Sequence, residues 1–401
     1  MKRHAAVYGV GIGINGREAA MRATQHALDQ LGTARPVLAL VFVAQEFDIS
    51  ETLAGLVSLL GETPLWGFTT TRPLVCAGEQ PRSVVVALIT GTELKAQVQW
   101  YPTFAQESAV VAKQLLQALK QDIFLPQEIL LIGDGINGSL VPICNALGEL
   151  NVRVSGGMAA GEPSLGKTFC IGKNQAGPGA LSAAILGGRF RVGSGIAHGW
   201  KDVGVYFHAT RTRDVWVQAL DEASPAETYA RYFGYTAREW AFPPLTNMAR
   251  LYPLGIEPEA VKPGAPFVET DSNSLLIRSA LRVEVDGSLR MSAPVPEGAI
   301  VHLMTGDPDA CLEAAQDAAR QALANLGSAK PILALALIDA AWQTLFEFRP
   351  NQISAALKSV LGSTPLVGAY TFGQLSRPSV DQPPILHNQN IEVLVFGEEK
   401  E

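Results

Sequence analysis

The chain contains few cysteines and no long hydrophobic run. Its four cysteines are far apart in the sequence, at Cys76, Cys144, Cys170 and Cys311. This spacing is typical of neither a disulfide framework nor a zinc site. We therefore expect the four cysteines to be buried reduced thiols, which indicates a reducing compartment. Gly9, Gly11 and Gly13 interrupt the apolar stretch near the start, which argues against a secretory signal. Because no window approaches the roughly 18 apolar residues of a membrane helix, we expect a cytoplasmic protein without membrane insertion.

Charged residues are also scarce, at 17% of the sequence, and acidic residues outnumber basic ones by 38 to 31. Nucleic acids are bound through clustered positive charge, and Lys and Arg form no run here. The composition therefore excludes nucleic acid as a partner and argues against binding to an anionic membrane surface. The 401 residues, 47% of them hydrophobic, suffice for two domains with a large core.

Sequence patterns of catalytic and metal sites are missing as well. There is no G-x-S-x-G or H-E-x-x-H motif, and the six histidines are scattered. We therefore expect neither catalysis nor a bound metal or other cofactor. Among the histidines, His387 opens the last strand with Asn388 beside it, which makes this pair a candidate for ligand binding. The other interpretation is that His387 orients or caps its neighbours.

The two ends of the chain share a repeat. Residues 19–40 align without gaps on residues 314–335, with 12 of the 22 positions identical, and the similarity resumes between residues 60–67 and 361–368. Both copies predict a helix, a glycine stop, a buried strand, a second helix and a short strand. A looser third copy lies at residues 128–162.

These repeats predict the fold class. Strand–helix–strand units are joined to hairpins, of which residues 84–101 and 181–195 are the clearest, and such units form mixed sheets covered by helices. We therefore predict an internally duplicated α/β protein of mixed α+β character. A change in composition near residue 213 divides it into an N-terminal domain, 1–213, and a C-terminal domain, 214–401.

Two segments match the G-x-G-x-x-G pattern, at Gly11–Gly16 and Gly133–Gly138. Each lies between a predicted strand and a predicted helix, which is the setting of a pyrophosphate site. Neither is followed by an acidic residue at the distance from which it would hold a ribose, and the turn before the C-terminal repeat, 304–308, lacks the motif. Tight structural turns are therefore favoured, and a nucleotide-dependent α/β enzyme using Gly11–Gly16 stays as an alternative.

Three glycine-containing segments at equivalent strand ends form the predicted ligand site. Glycine lets backbone approach a ligand, and threonine hydroxyls with backbone N–H groups can hold a carboxylate. We expect one pocket between the duplicated halves, with Thr69, Thr70, Thr371 and Glu162 as polar contacts and Phe68 and Tyr370 stacking or filling space. His387 and Asn388 support it from the neighbouring strand. The predicted glycines are Gly67, Gly156, Gly157, Gly161, Gly368 and Gly373.

These motifs, in this order, resemble the FIST family with its N-terminal and C-terminal domains. The ordered set is Gly67–Thr70, Gly156–Glu162, Gly199-Trp200, Leu220–Ala226, Val295–Gly298, Gly368–Gly373 and His387–Gln389. The resemblance implies a sensory signal-transduction module that binds a small ligand, such as an amino acid or a related carboxylate, and acts with a separate output protein. Some family members are similar to haem-based gas sensors, so a haem sensor is a second alternative.

The sequence departs from the family pattern at two places. The first segment continues as Thr71-Arg72-Pro73 where the family has Gly-Glu, and the last ends in Gln374 where the family has Glu. If those carboxylates hold a ligand's ammonium group in relatives, this chain has lost both. Arg72 would then favour an acidic ligand.

Overall fold

The computed structural model describes residues 4–121, 125–161, 166–234, 236–240, 251–257, 272–349, 351–377 and 383–399. The helices are α1 (Gly16–Leu31), α2 (Ile49–Leu60), α3 (Phe104–Lys120), α4 (Val141–Leu147), α5 (Pro225–Tyr232), α6 (Ala237–Trp240), α7 (Pro308–Leu326), α8 (Ala341–Leu345) and α9 (Gln352–Leu361). The strands are β1 (His4–Ile12), β2 (Leu38–Ala44), β3 (Leu65–Thr70), β4 (Pro73–Val75), β5 (Gly78–Glu79), β6 (Ser83–Gly91), β7 (Leu94–Tyr101), β8 (Pro126–Gly133), β9 (Arg153–Ala159), β10 (Cys170–Gly172), β11 (Gln175–Gly177), β12 (Leu181–Gly188), β13 (Arg191–Ala197), β14 (Trp200–Arg213), β15 (Trp216–Leu220), β16 (Leu254–Ile256), β17 (Leu276–Arg278), β18 (Ala280–Val283), β19 (Leu289–Met291), β20 (Ile300–Gly306), β21 (Lys330–Asp339), β22 (Leu366–Ser376), β23 (Ile385–His387) and β24 (Ile391–Glu398).

The described residues form three α/β units with the same strand order. The sheets run β1-β6-β2-β3 in the first unit, β7-β12-β8-β9 in the second and β13-β24-β21-β22 in the third. In each unit the last two strands are parallel and the others antiparallel. Helices join the parallel strands, as a parallel connection requires. The predicted mixed α/β fold with repeated units is confirmed, and the looser copy at 128–162 belongs to the second unit.

Short segments after the parallel strands link the units to one another. β4 of the first unit pairs with β22 of the third, and β10 of the second pairs with β3 of the first. The C-terminal part of β22, Gln374–Ser376, pairs with β9 of the second. One hydrophobic core contains inward side chains of all three sheets, among them Phe42, Leu130 and Leu335. Helices pack on the outer face of each sheet.

An inserted unit, residues 200–306, separates β13 from α7. Its strands form a sheet of their own in the order β17-β16-β20-β14-β15-β19-β18, around a core that includes Phe207, Tyr229 and Val301. Arg213 is the last residue of β14 and Asp214 lies between β14 and β15, which pair in this sheet. The domain division at this point stays a prediction.

Glycine and alanine explain how the first helix of each repeat packs. A Cβ at Gly9 of β1 would lie closer than 3.0 Å to Ala23 O of α1, and a Cβ at Gly195 of β13 would lie equally close to Ala318 O of α7. Ala23 and Ala318 are aligned in the repeat. The strand equivalent to β1 in the third unit is therefore β13, although β20 directly precedes α7 in the chain, and the comparison of residues 304–308 with Gly11–Gly16 was wrong.

Close packing also explains the first G-x-G-x-x-G segment. A Cβ at Gly11 or Gly13 would lie within 3.0 Å of the backbone of Ala19. Asn15 caps α1 by accepting a hydrogen bond from Glu18 N at 2.9 Å. These contacts supply a structural role for the segment. Across the described ranges, none of the helices is both long and apolar enough to cross a membrane.

Candidate functional site

Gly67, Gly156 and Gly368 occupy equivalent positions inside β3, β9 and β22. The prediction that these segments are turns was wrong. A Cβ on each glycine would lie closer than 3.0 Å to a carbonyl oxygen of the parallel neighbour, respectively Val41, Leu131 and Ala336. Glycine is needed here because the two strands approach closely.

The ends of these strands meet at two threonines. The Thr70 hydroxyl donates to Tyr370 O at 3.0 Å and accepts from Tyr370 N at 2.9 Å. Thr371 lies opposite Ala159 in the β22–β9 pair, and its hydroxyl accepts from Gln374 Nε2 at 2.8 Å. Both threonines are fully buried. The structure thus brings Thr70, Tyr370 and Thr371 together, with the two hydroxyls bonded to protein groups.

Phe68 and Tyr370 lie on different sides of the sheets. Phe68 belongs to the central core, where its ring meets Phe42 edge-to-face at 5.4 Å. Tyr370 belongs to the core beneath α7 and α9, and its hydroxyl donates to Glu79 Oε1 at 2.6 Å. The expectation that these two rings share a pocket was wrong. The Arg72 guanidinium, which was expected to favour an acidic ligand, is paired with Glu79 at 2.7 Å.

Thr69 of the first predicted segment and the glycines of the second contact residues of the other units. The Thr69 hydroxyl accepts from Phe169 N at 2.9 Å. A Cβ at Gly157 would meet Gly373 O, and one at Gly161 would lie 3.3 Å from Gln45 Oε1. Glu162 lies outside the described residues. These contacts place Thr69, Gly157 and Gly161 in the joints between units.

A group of unsatisfied polar side chains lies at the end of the third unit. Four buried atoms have no hydrogen-bonding partner among the described residues: Gln374 Oε1, His387 Nε2, Asn388 Oδ1 and Gln389 Oε1. Gln374 and His387 face each other in the β22–β23 pair, and a Cβ at Gly373 would lie 2.7 Å from Asn388 Nδ2. We call these four residues and Arg278 the junction cluster. It contains His387 and Asn388 from the predicted site, with Thr371 and Gly373 adjoining it.

Arg278 brings a buried positive charge into the junction cluster. It comes from β17 of the inserted unit and is 7% exposed. Its guanidinium donates to the carbonyl oxygens of Ile277 at 2.9 Å, Leu386 at 3.1 Å and Pro294 at 3.3 Å. Within the described ranges it has no salt bridge to a carboxylate, and burial lowers its pKa to about 10. At neutral pH this residue is therefore a cation, and its hydrogen-bonding partners among the described residues are carbonyl oxygens.

His387 is neutral under the same conditions. Burial, and then the charges of Arg278 and His198, lower its pKa to about 3. A histidine that lies next to a buried cation loses its own proton because both effects oppose a second positive charge. Its ring nitrogens therefore offer one N–H donor and one acceptor.

Gln389 fixes the junction cluster between the third unit and the inserted unit. Its carbonyl oxygen accepts from the indole nitrogens of Trp200 at 2.8 Å and Trp342 at 2.9 Å. Its side-chain nitrogen donates to Ser279 Oγ at 2.6 Å, and its N–H donates to Asp339 Oδ2 at 2.8 Å. This dense network holds the backbone rigidly while the side-chain oxygen is left unsatisfied.

Three solvent-open cavities have other linings. One of about 440 Å³ lies beside Trp100 and Tyr101, one of about 350 Å³ beside Glu128 and Arg153, and one of about 500 Å³ beside Arg35 and other residues of the first unit. The single pocket predicted around the three glycine segments is not one of them. In the described part of the chain, no three His, Cys, Asp or Glu side chains are grouped to hold a metal ion.

Comparison with known proteins gives one strong match and several weak ones. The FIST N domain model matches residues 37–223 and the FIST C domain model matches residues 225–377, which together exceed half of the chain. No curated protein matches the sequence.

Among solved structures, a cyanuric acid hydrolase from A. caulinodans is 9% identical with a TM-score of 0.37, and the match covers 99% of this chain and 100% of that one. A cyanuric acid hydrolase described as an innovation by structural concatenation is 9% identical with a TM-score of 0.34 over 99% and 100% of the two chains. Phosphoribosylformylglycinamidine synthase II from Thermotoga maritima is 11% identical with a TM-score of 0.23 over 98% and 72%. These three likenesses are too low to carry a functional argument.

Proposed function

Since this chain belongs to the FIST family, whose domains are associated with sensory modules that bind small ligands, we propose that the junction cluster is the ligand-binding site of such a module. One observation carries the proposal. Four buried polar atoms that lack partners among the described residues belong to side chains next to a buried guanidinium, which has no described carboxylate partner. A buried polar group left unsatisfied costs about 1–3 kcal/mol, so a ligand that satisfies several of them gains binding energy from the same groups.

The chemistry of the junction cluster favours an amino acid or a related carboxylate. Three of the unsatisfied atoms are amide oxygens, which accept hydrogen bonds from an ammonium or amide group. Arg278 presents planar N–H donors that match the geometry of a carboxylate. Gln374, which stands where the family pattern has Glu, still offers an acceptor oxygen. The ammonium or amide end of the ligand would therefore bind to the amide oxygens, and its carboxylate would bind to Arg278.

The position of the junction cluster suits signal transfer without catalysis. Arg278 belongs to the inserted unit, whereas Gln374, His387 and Asn388 belong to the third unit. A ligand between them would change the free energy of contact between the two units, which is the requirement for coupling binding to a conformational change. FIST is a sensory family and not an enzyme family, and we propose a separate output protein as the partner that receives the signal.

A thermal-shift screen tests this function. The panel contains the twenty amino acids and short mono- and dicarboxylic acids at millimolar concentration, and a ligand at 100 times its Kd stabilises the folded state by about 2.7 kcal/mol. We expect at least one hit with the wild type that is lost in Arg278→Met and kept in Arg282→Met. Arg282 serves as the matched control because it lies in the same inserted unit but is exposed and paired with Glu284. A hit of equal size in Arg278→Met would contradict the assignment of the site.

A further inference from the structure

A second buried polar group lies on the other side of the third and second units. The cavity of about 350 Å³ contains Glu128 in its wall. Glu128 is 1% exposed, and neither of its carboxyl oxygens has a hydrogen-bonding partner within the described ranges. Glu128 therefore lies in the wall of a solvent-open cavity, with carboxyl oxygens that are buried and unsatisfied among the described residues. The other lining residues are Pro126, Gln127, Asn151, Val152, Arg153, Phe190, Arg191, Val192 and Glu399.

A second acid, Glu392 of β24, lies behind Glu128. Glu392 is fully buried; its Oε2 accepts from Gly156 N at 3.2 Å, and its Oε1 has no partner among the described residues. Burial is the main cause that raises the pKa of Glu392 well above its usual range, and Glu128 adds to the effect. Burial likewise raises the pKa of Glu128 to about 8. The Ser155 hydroxyl lies close to both carboxyl groups and the Ser376 hydroxyl lies close to that of Glu392, and both hydroxyls oppose the rise in pKa.

Both acids depart from the repeat. The parallel strand pairs align Val41, Leu131 and Ala336 opposite Gly67, Gly156 and Gly368. Three residues before these aligned positions, Glu128 stands where the first and third units have the buried leucines Leu38 and Leu333. By the antiparallel pairs, Glu392 stands where the first unit has Val85. A leucine at each site would fill the core, so packing does not account for the two carboxyl groups.

We propose that this cavity is a second ligand site, which binds a small organic cation through a primary ammonium group held by Glu128, with Glu392 behind it. An ammonium group has three N–H donors, and the acid pair has three unsatisfied oxygens. Among the described residues no third acidic, histidine or cysteine ligand is grouped with the pair for a metal ion. The volume lies at the lower end of small-molecule sites.

The charges at the mouth argue against a ligand with more than one positive charge. Arg191 is paired with Glu399 at 3.1 Å, and Arg153 donates to the carbonyl oxygen of Val192. These two guanidinium groups, one from β13 and one from β9, would repel further positive charges on the ligand. The site is independent of the junction cluster and does not require the function proposed for it.

Binding at this site should release a proton. Glu128 is mostly protonated at neutral pH, so the protonated carboxyl loses its proton to solvent as the ammonium group binds to the carboxylate. Glu392, Arg153, Arg191 and Glu399 are the charged or titratable groups that face it. By linkage, affinity should rise about tenfold per pH unit below pH 8 and level off above it.

Isothermal titration calorimetry with n-propylammonium chloride at pH 6, 7, 8 and 9 tests the proposal. We expect binding with this pH dependence and the release of close to one proton per cation at pH 6, measured on the wild type from the buffer dependence of the heat. Tetramethylammonium, which has the charge without N–H donors, n-propanol, which has neither, and potassium chloride should bind at least tenfold more weakly. Glu128→Gln should abolish binding, and Glu62→Gln, in the wall of another cavity, should retain it.

Several results would overturn the proposal. One is no heat with n-propylammonium at any of these pH values, and another is binding without proton release in the wild type, which requires no variant. Equal binding of potassium or tetramethylammonium would also overturn it, as would full affinity in a folded Glu128→Gln.

Discussion

The first and third units have closely related sequences but end differently. In the first, the Thr70 hydroxyl is satisfied by the backbone of Tyr370, and Arg72 is paired with Glu79. In the third, Gln374 and His387 are left with unsatisfied atoms beside a buried Arg278. The scaffold is the same, and the difference arises where the inserted unit meets the third unit. The repeat therefore supplies the fold, and the interruption of the repeat supplies the candidate site.

The largest effect is expected where the two units are most alike. Gly9→Ala and Gly195→Ala should each destabilise the protein by about 3 kcal/mol or more, because each new Cβ would overlap a helix carbonyl oxygen. Equilibrium denaturation in urea measures the loss. Gly177→Ala is the control, since its Cβ would lie 3.6 Å from the nearest atom, and should change stability by less than about 0.5 kcal/mol. If the protein tolerated one of these two substitutions but not the other, the claim that β1 and β13 are equivalent strands would be contradicted.

A smaller effect is expected in the pH dependence of stability, to which the buried His387 of the third unit contributes. The pKa of His387 is lowered to about 3, so the folded state keeps it neutral while the unfolded state binds a proton below about pH 6.5. The wild type should therefore lose roughly 2 kcal/mol of stability from this residue as pH falls from about 6.5 to about 5. His387→Gln should show a shallower loss in the same window. His26→Gln, on the exposed face of α1, should follow the wild type, and an identical slope for both variants would contradict a buried neutral His387.

The smallest expected effects concern the two equivalent threonines. Thr70→Val should cost about 1–2 kcal/mol, because it removes both hydrogen bonds to Tyr370. Thr371→Val should cost about 1 kcal/mol and leave the fold intact, since it frees Gln374 Nε2. With a hit from the ligand screen, calorimetry should show affinity reduced about tenfold in Thr371→Val and unchanged in Thr70→Val. The reverse order would place the ligand at the first unit.

The sequence predicts the repeated units well because their signals are local. Helix periodicity, the glycines after α1 and α7 and the buried strands are all visible in residues 19–40 and 314–335. The role of β13 was not predicted, because more than a hundred residues of inserted unit separate it from α7. Gly67, Gly156 and Gly368 were assigned to turns because turns and close strand pairs both select glycine.

The site was predicted only in part. His387 and Asn388 are visible as a polar pair at the start of a strand, and Thr371 and Gly373 adjoin them. Arg278 was missed, since a single arginine in a strand gives no signal until its burial without a carboxylate is known. Gln389 was part of the His387–Gln389 motif but was not assigned to the site. Glu128 could be noticed in the sequence, because the alignment of the units places this acid at the position that Leu38 and Leu333 occupy in the other two units.

Native mass spectrometry of gently purified protein tests the central claim most directly, because a sensory protein that satisfies buried polar groups with a ligand can carry that ligand through purification. We predict a wild-type mass that exceeds the sequence mass by that of one small carboxylate-containing molecule, and a loss of this excess in Arg278→Met but not in Arg282→Met. An excess that persists in Arg278→Met would contradict the assignment of the junction cluster as the ligand site.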